Sequence, residues 1–186
     1  GKAIDIKARK TVDARYMNVS VPATSDAPYS VADDVTCVPI NDLPKIASAG
    51  VHYCVIGGGK TSMDAWLWLL EQGAGQSSIS WVRPRDSWIL NRANIQPGKL
   101  SGPSSESFVR QLALVGGSNT SEEAFEKLAE AGILLRLDNE VKPTMYRCAT
   151  ITESEFKELQ GVTRVVRKGH VLSIDASGRR RIEKGL

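Results

Sequence analysis

Cysteine and histidine are scarce in this sequence, which limits the metal and redox chemistry that it can encode. Only three cysteines and two histidines occur among 186 residues. The cysteines, Cys37, Cys54 and Cys148, are widely spaced and form no CxxC pair, so neither a zinc ribbon nor a dithiol redox centre is indicated. Free thiols without an export signal are typical of the reducing cytoplasm. We therefore expect a cytoplasmic protein without a metal site.

Long apolar runs and a strong excess of one charge are also missing. The longest apolar run, Ala65 to Leu70, is far shorter than the roughly 18 residues of a membrane span, so we expect no membrane partner. The 24 Lys and Arg residues nearly balance 21 Asp and Glu residues, which leaves a net charge of +3. Because nucleic-acid binders usually have a dense basic face, we expect no nucleic-acid partner either.

One stretch has the pattern of a nucleotide-binding β–α–β unit. The apolar run Val51 to Ile56 predicts a strand that is buried on both faces, as in a parallel sheet. Three glycines follow directly, then Thr61 to Gln72 predicts a buried helix and Ile79 to Val82 predicts a second strand. A strand, a glycine-rich turn and a helix in this order are the context that a dinucleotide fingerprint requires.

The glycine turn contains most of the candidate cofactor-binding residues. We expect Gly57 to allow the tight turn and Gly59 to let the backbone approach a pyrophosphate. The helix amides from Lys60 onward would then face the phosphates with the positive end of the helix dipole. Ser62 stands in place of the third fingerprint glycine and is small enough for close helix–strand packing. The candidates in this turn are Gly57, Gly58, Gly59, Lys60, Thr61 and Ser62.

Two alternatives to a dinucleotide site remain open for this turn. One is a glycine turn that packs tightly and binds no ligand. The other is a P-loop, because Gly59-Lys60-Thr61 resembles the end of that motif. A P-loop, however, needs a glycine five positions before the Gly-Lys pair, where Cys54 stands. We therefore favour a dinucleotide over a nucleoside triphosphate.

The end of the second predicted strand indicates which dinucleotide binds. An acidic residue at this position hydrogen-bonds a free ribose 2′-hydroxyl, whereas an arginine accommodates a 2′-phosphate. Here the strand continues into Arg83-Pro84-Arg85, and Asp86 lies beyond both arginines, where it can pair with one of them. A guanidinium suits phosphate because it forms two parallel charge-assisted hydrogen bonds. We expect NADP(H) rather than NAD(H), with Arg83 or Arg85 as the ligand; the alternative is a solvated turn whose arginines contact only water.

Several segments outside this unit also have recognisable patterns. Capping-box motifs predict helices that begin at Thr120 and Thr152. Val162 to Arg167 and His170 to Asp175 predict the two strands of a β-hairpin. We expect Asp86 to Pro103 to be irregular.

Two segments, Tyr53 to Ala65 and Trp81 to Trp88, resemble the NAD(P)-binding domain of two-dinucleotide-domain flavoproteins. These are flavin-containing monooxygenase-like and pyridine-nucleotide-disulfide-reductase-like oxidoreductases, whose NADPH domain is inserted into an FAD domain. The resemblance implies an α/β fold, a Rossmann-like three-layer domain with a parallel sheet, plus small flanking β segments from an FAD domain. It implies that the domain delivers hydride from NADPH to FAD held elsewhere in a parent protein.

The same resemblance divides the chain into three parts. Residues 1–42, with a predicted strand near Tyr16–Val21, and the hairpin segment 161–186 would belong to the host FAD domain, while 43–160 would bind NAD(P). Only one glycine fingerprint is present, so we expect FAD only in the full-length parent and no activity from this chain alone. The expected partners are the dinucleotide, the missing FAD domain and a second copy of the chain. The alternative is a non-catalytic Rossmann-fold domain for nucleotide sensing or interaction.

Overall fold

Helices and short strands are mixed along the chain in an α/β fold. The computed structural model describes residues 3–13 and 20–183, so most of the strand predicted near Tyr16–Val21 lies outside the described residues. Within them, the α-helices are α1 (Leu43–Ile46), α2 (Lys60–Glu71), α3 (Ser101–Gly116), α4 (Ser121–Glu130) and α5 (Glu153–Gln160). The strands are β1 (Ser30–Val31), β2 (Tyr53–Ile56), β3 (Ile79–Val82), β4 (Ser87–Asn91), β5 (Leu134–Leu135), β6 (Met145–Ile151), β7 (Val165–Val166), β8 (Val171–Ile174) and β9 (Arg180–Ile182). No helix in this part of the chain is long and apolar enough to cross a membrane.

The strands of the described chain form three small sheets of three strands each. The first sheet has the order β2-β3-β7, and all its strands run parallel. The second has the order β5-β4-β6, in which β4 and β6 run parallel. The third has the order β1-β8-β9. The predicted parallel sheet is therefore present, but it is small and shares the fold with two others.

The predicted β–α–β unit is present with nearly the predicted boundaries. β2 and β3 pair in parallel from Tyr53 opposite Ile79 to Ile56 opposite Val82. β3 is the central strand of this sheet, and its Ile79, Trp81 and Val82 are completely buried. α2 contributes the largest share of the main core, with Met63, Trp66 and Leu69 almost completely buried. Burial of such side chains contributes about 1.5–3 kcal/mol each to stability. The β2–α2–β3 unit is therefore a stable part of the fold, and it positions the glycine turn.

The predicted hairpin of Val162–Arg167 with His170–Asp175 is wrong. β7, from the first segment, pairs in parallel with β3, whereas β8, from the second, pairs antiparallel with β9. Gly169, at φ 110°, lies between them and turns the chain away from the first sheet. The physical reason is burial, because the two valines of β7 bury more apolar surface beside the apolar central strand β3 than they would in an exposed hairpin.

The irregular segment predicted for Asp86–Pro103 contains a central strand and the start of a helix. β4 lies in the middle of the second sheet, and its Trp88 and Ile89 are buried. α3 begins within the same segment, and Pro103 is accommodated in its first turn, where no intrahelical donor is lost. β1 pairs in parallel with β8.

Both predicted capping boxes lie at helix starts. The Thr120 hydroxyl accepts a hydrogen bond from the Glu123 amide at 3.1 Å, at the start of α4. At the start of α5, Thr152 accepts from the Glu155 amide at 3.2 Å, and the Glu155 carboxylate accepts from the Thr152 amide at 2.6 Å. These contacts satisfy backbone donors that have no partner within the helix.

Candidate functional site

The glycine turn begins at the carboxyl end of the parallel sheet. Gly57 has φ 129°, a conformation that side chains other than glycine rarely adopt, and its amide donates to the Val82 carbonyl at 2.9 Å. The indole Nε1 of Trp81 donates to the Gly57 carbonyl at 2.6 Å. Two bonds from β3 thus hold the first residue of the turn, which places it at the sheet edge where α/β proteins bind ligands.

Gly59 ends the turn and caps α2, and the space beside it is open. Its backbone is extended, with φ −93° and ψ 177°, and a Cβ built there would meet only the Nη1 of Arg147, at 3.8 Å. The amides of Ser62 and Met63 both donate to the Gly59 carbonyl at 3.2 Å, so the preceding amides at the start of α2 have no intrahelical partner. Ser62 is buried and donates to the same carbonyl at 2.7 Å. The turn therefore exposes backbone donors at the positive end of a helix.

The predicted arginine turn lies directly against the predicted glycine turn. A Cβ on Gly58 would lie 3.3 Å from Cγ of Arg83 and 3.5 Å from the carbonyl oxygen of Arg85. These two groups of candidate residues, separated by a helix in sequence, are therefore neighbours in space. Glycine at position 58 allows this close approach.

Arg83 is buried and already paired, whereas Arg85 is exposed. The Nη2 of Arg83 lies 2.5 Å from Oδ1 of Asp86, both side chains are 4% exposed, and the guanidinium lies 4.7 Å from the centre of the Trp81 ring. Burial lowers the pKa of the Arg83 guanidinium, and the Asp86 charge opposes this shift. The expected pairing of Asp86 with one of the two arginines is confirmed for Arg83. Arg85 is exposed and has no hydrogen bond or ion pair with another described residue.

Lys60 is directed toward α5. Its ammonium forms ion pairs with Asp64 on α2 and with Oε1 of Glu155, the latter at 3.0 Å. Burial alone would lower the pKa of Lys60, but hydrogen bonds to these two carboxylates raise it above its usual value. Burial would raise the pKa of Glu155, but bonds from Thr152 and Lys60 hold it below the usual carboxyl value. The remaining candidate, Thr61, is exposed in the first turn of α2.

Two residues near the turn carried no signal in the sequence. Arg147 lies in the middle of β6, opposite Ile89, and reaches Gly59 only because β6 pairs with β4. Arg167 follows β7 and donates to Asp86 at 2.6 Å and to Asp138 at 2.8 Å. Neither arginine lies in a recognisable motif, so only the pairing of distant strands could reveal them.

A groove of about 320 Å³ lies between α2 and α5, and none of the three glycines of the turn lines it. Its lining includes four carboxylates, which are Asp64, Glu71, Glu155 and Glu158. Like charges disfavour a phosphate there, so this groove and the glycine turn are different places with different chemistry. In residues 3–13 and 20–183, no group of His, Cys, Asp and Glu side chains is arranged to hold a metal ion.

The chain is similar to uncharacterized proteins of Mycobacterium bovis (strain ATCC BAA-935 / AF2122/97) and Mycobacterium tuberculosis (strain ATCC 25618 / H37Rv). It is 42% identical to each over 168 residues, which is 90% of this chain and 31% of the relative. The chain thus spans about a third of the length of the curated relatives it matches. No family model matches the chain, and no solved structure matches it.

Proposed function

We propose that this chain is a dinucleotide-binding domain that takes NADP(H) at the turn Gly57–Gly59. One observation carries the proposal. A parallel strand pair, a glycine at positive φ and the start of a 12-residue helix meet at the carboxyl edge of the sheet, and the space beside Gly59 is open. This arrangement suits a pyrophosphate, because the first helix amides donate to its oxygens and the helix dipole favours its charge.

Arg85 is the better placed of the two arginines for a 2′-phosphate. Its carbonyl lies beside Gly58, and its side chain is exposed without a partner among the described residues. Arg83 would have to leave Asp86 to reach a ligand, and the buried Asp86 carboxylate would then lose one of its two arginine partners. We therefore assign the 2′-phosphate to Arg85 and a supporting position beneath the turn to Arg83.

We further propose that the domain works within a larger flavin-dependent oxidoreductase, where it delivers hydride from NADPH to FAD. Two observations support this. The relatives are about three times as long as the matched segment, which leaves room for a second domain. The strands β1, β8 and β9 come from both ends of the described chain and share one sheet, as flanking segments of an inserted Rossmann-like domain would.

The flavin part of the proposal has a simple test. A full-length relative should purify yellow, with a stoichiometric flavin spectrum that NADPH bleaches in the absence of oxygen. A colourless full-length protein that still binds NADPH would instead favour a non-catalytic nucleotide-sensing domain.

The nucleotide part is tested by calorimetric titration of the 186-residue chain with NADPH and NADH. NADPH should bind about tenfold or more tightly, because a charge-assisted pair is worth about 1.5–3 kcal/mol. Arg85→Gln should remove that difference and leave NADH affinity unchanged. Arg110→Gln, an equal charge change at an exposed position of α3, is the matched control. Equal affinities for the two cofactors in the unaltered protein would reject the NADP(H) assignment.

A further inference from the structure

We infer that Arg147, a residue of β6, binds the pyrophosphate of the dinucleotide at the glycine turn. This inference rests on the proposed function and adds to it a residue from a different sheet. The Nη1 of Arg147 lies 3.8 Å from the position of a Cβ on Gly59. The guanidinium and the first amides of α2 therefore border the same open space.

β6 is irregular directly after Arg147. β6 pairs with β4 in register up to Arg147 opposite Ile89, and the pairing then shifts so that Leu90 lies opposite Thr150. The residues between, Cys148 and Ala149, form a bulge. Bulges bend a strand and redirect the side chains beside them, and they are frequent next to functional sites.

The surrounding charges leave Arg147 as a free cation at this place. Lys60 is neutralised by two carboxylates, Arg83 by Asp86, and Arg167 by Asp86 and Asp138. Arg147 is only partly exposed, yet its side chain has no hydrogen bond or ion pair with any described residue. A partly buried charge without a partner is unfavourable, so the site is poised to accept an anion.

A second donor without an acceptor lies beneath the turn. The Arg83 side chain is 4% exposed and packs against Gly58, and its Nε is buried without a hydrogen-bond acceptor within the described residues. One donor beneath the turn, the Nε of Arg83, and one cation beside it, the Arg147 guanidinium, therefore have no acceptor among the described residues. A bound pyrophosphate would give the Arg147 guanidinium its missing partner, because each of its oxygens is a strong acceptor.

The two phosphate-binding arginines are distinguished by titrating each variant with both cofactors. NADH and NADPH share the pyrophosphate but not the 2′-phosphate. Arg147→Gln should weaken NADH and NADPH binding by the same factor, about tenfold or more, whereas Arg85→Gln should weaken NADPH alone. Arg147→Lys, which keeps the charge but loses the planar fork, should lose less, and equally for both cofactors. Arg110→Gln again controls for net charge, and thermal unfolding confirms that each variant is folded.

The outcomes separate this inference from the proposed function. If the unaltered protein binds both cofactors and Arg147→Gln binds them like Arg110→Gln, Arg147 has no such role and the dinucleotide site stands. If Arg147→Gln weakens only NADPH, the assignment to the pyrophosphate is wrong. If the unaltered protein binds neither cofactor, the proposed function fails, and this inference fails with it. Should Arg147→Gln not fold, an undiminished affinity of Arg147→Lys for both cofactors would overturn the inference.

Discussion

Replacing Asp86 by Asn should destabilise the protein strongly. Asp86 lies between two arginines, with Oδ1 2.5 Å from Nη2 of Arg83 and Oδ2 2.6 Å from Nε of Arg167. Asn has nearly the same shape but no charge. The substitution therefore leaves the packing almost unchanged and removes the negative charge that both arginines share.

The size of the effect follows from the burial of Arg83. Its side chain is 4% exposed, so water cannot replace the lost carboxylate, and its Nε already has no acceptor among the described residues. Removing one partner of a buried pair costs about 3–5 kcal/mol. Arg167 keeps Asp138 at 2.8 Å and adds little to the loss. In a chain of this size 1 kcal/mol corresponds to about 2–4 °C, so the melting temperature should fall by about 6–20 °C.

Urea unfolding and thermal unfolding of matched variants measure this effect. Asp138→Asn is the control, because Asp138 pairs with the same Arg167 but is 32% exposed, and about 0–1 kcal/mol should be lost there. The double variant Arg83→Met, Asp86→Leu should recover much of the stability, since an apolar pair can replace a buried ion pair. An Asp86→Asn protein as stable as Asp138→Asn would refute the view that Asp86 holds a buried charge.

Three further substitutions test the glycine turn, the connection between β7 and β8, and an ion pair. Gly59→Val should leave the melting temperature nearly unchanged, because the Gly59 backbone is extended and the space beside it is open. The methyl groups of the valine should nevertheless abolish NADPH binding in a titration, because they occupy the space of the pyrophosphate. Wild-type affinity would mean that the turn is only structural. Gly169→Ala should lose about 1–3 kcal/mol in urea unfolding, because φ is 110° and the new Cβ would collide with the Glu183 carbonyl; an unchanged midpoint would contradict this contact. Glu155→Gln should lower stability at neutral pH, and the difference from the unaltered protein should shrink as the pH falls. The sign follows from the direction of the pKa shift. The pKa of Glu155 is lower in the folded protein than in the unfolded chain, so its contribution to stability is complete above the unfolded pKa and is lost as the pH falls through the folded pKa. The pKa of Lys60 is raised, so the contribution of Lys60 is lost only at high pH. A difference that stays constant into acid would show that the pair adds no stability.

The sequence by itself determined the local unit and its ends. An apolar run followed by glycines predicted β2 and the turn, and helical spacing of apolar residues predicted α2 to within one residue at each end. The boundaries of β3 were predicted without error, and Thr120 and Thr152 marked the starts of two helices. The sequence predicts these features because hydrophobic periodicity, turn residues and helix caps each depend on only a few neighbouring positions.

Only the tertiary structure decided which distant segments meet. The two valines of β7 pair with β3 instead of forming a hairpin, and β4 is a central strand although its surroundings predicted a loop. The same long-range pairing buries Arg83 on Asp86, leaves Arg85 exposed and carries Arg147 to Gly59. Each of these outcomes depends on the burial gained against a partner far away in the chain, and local periodicity contains no information about that partner.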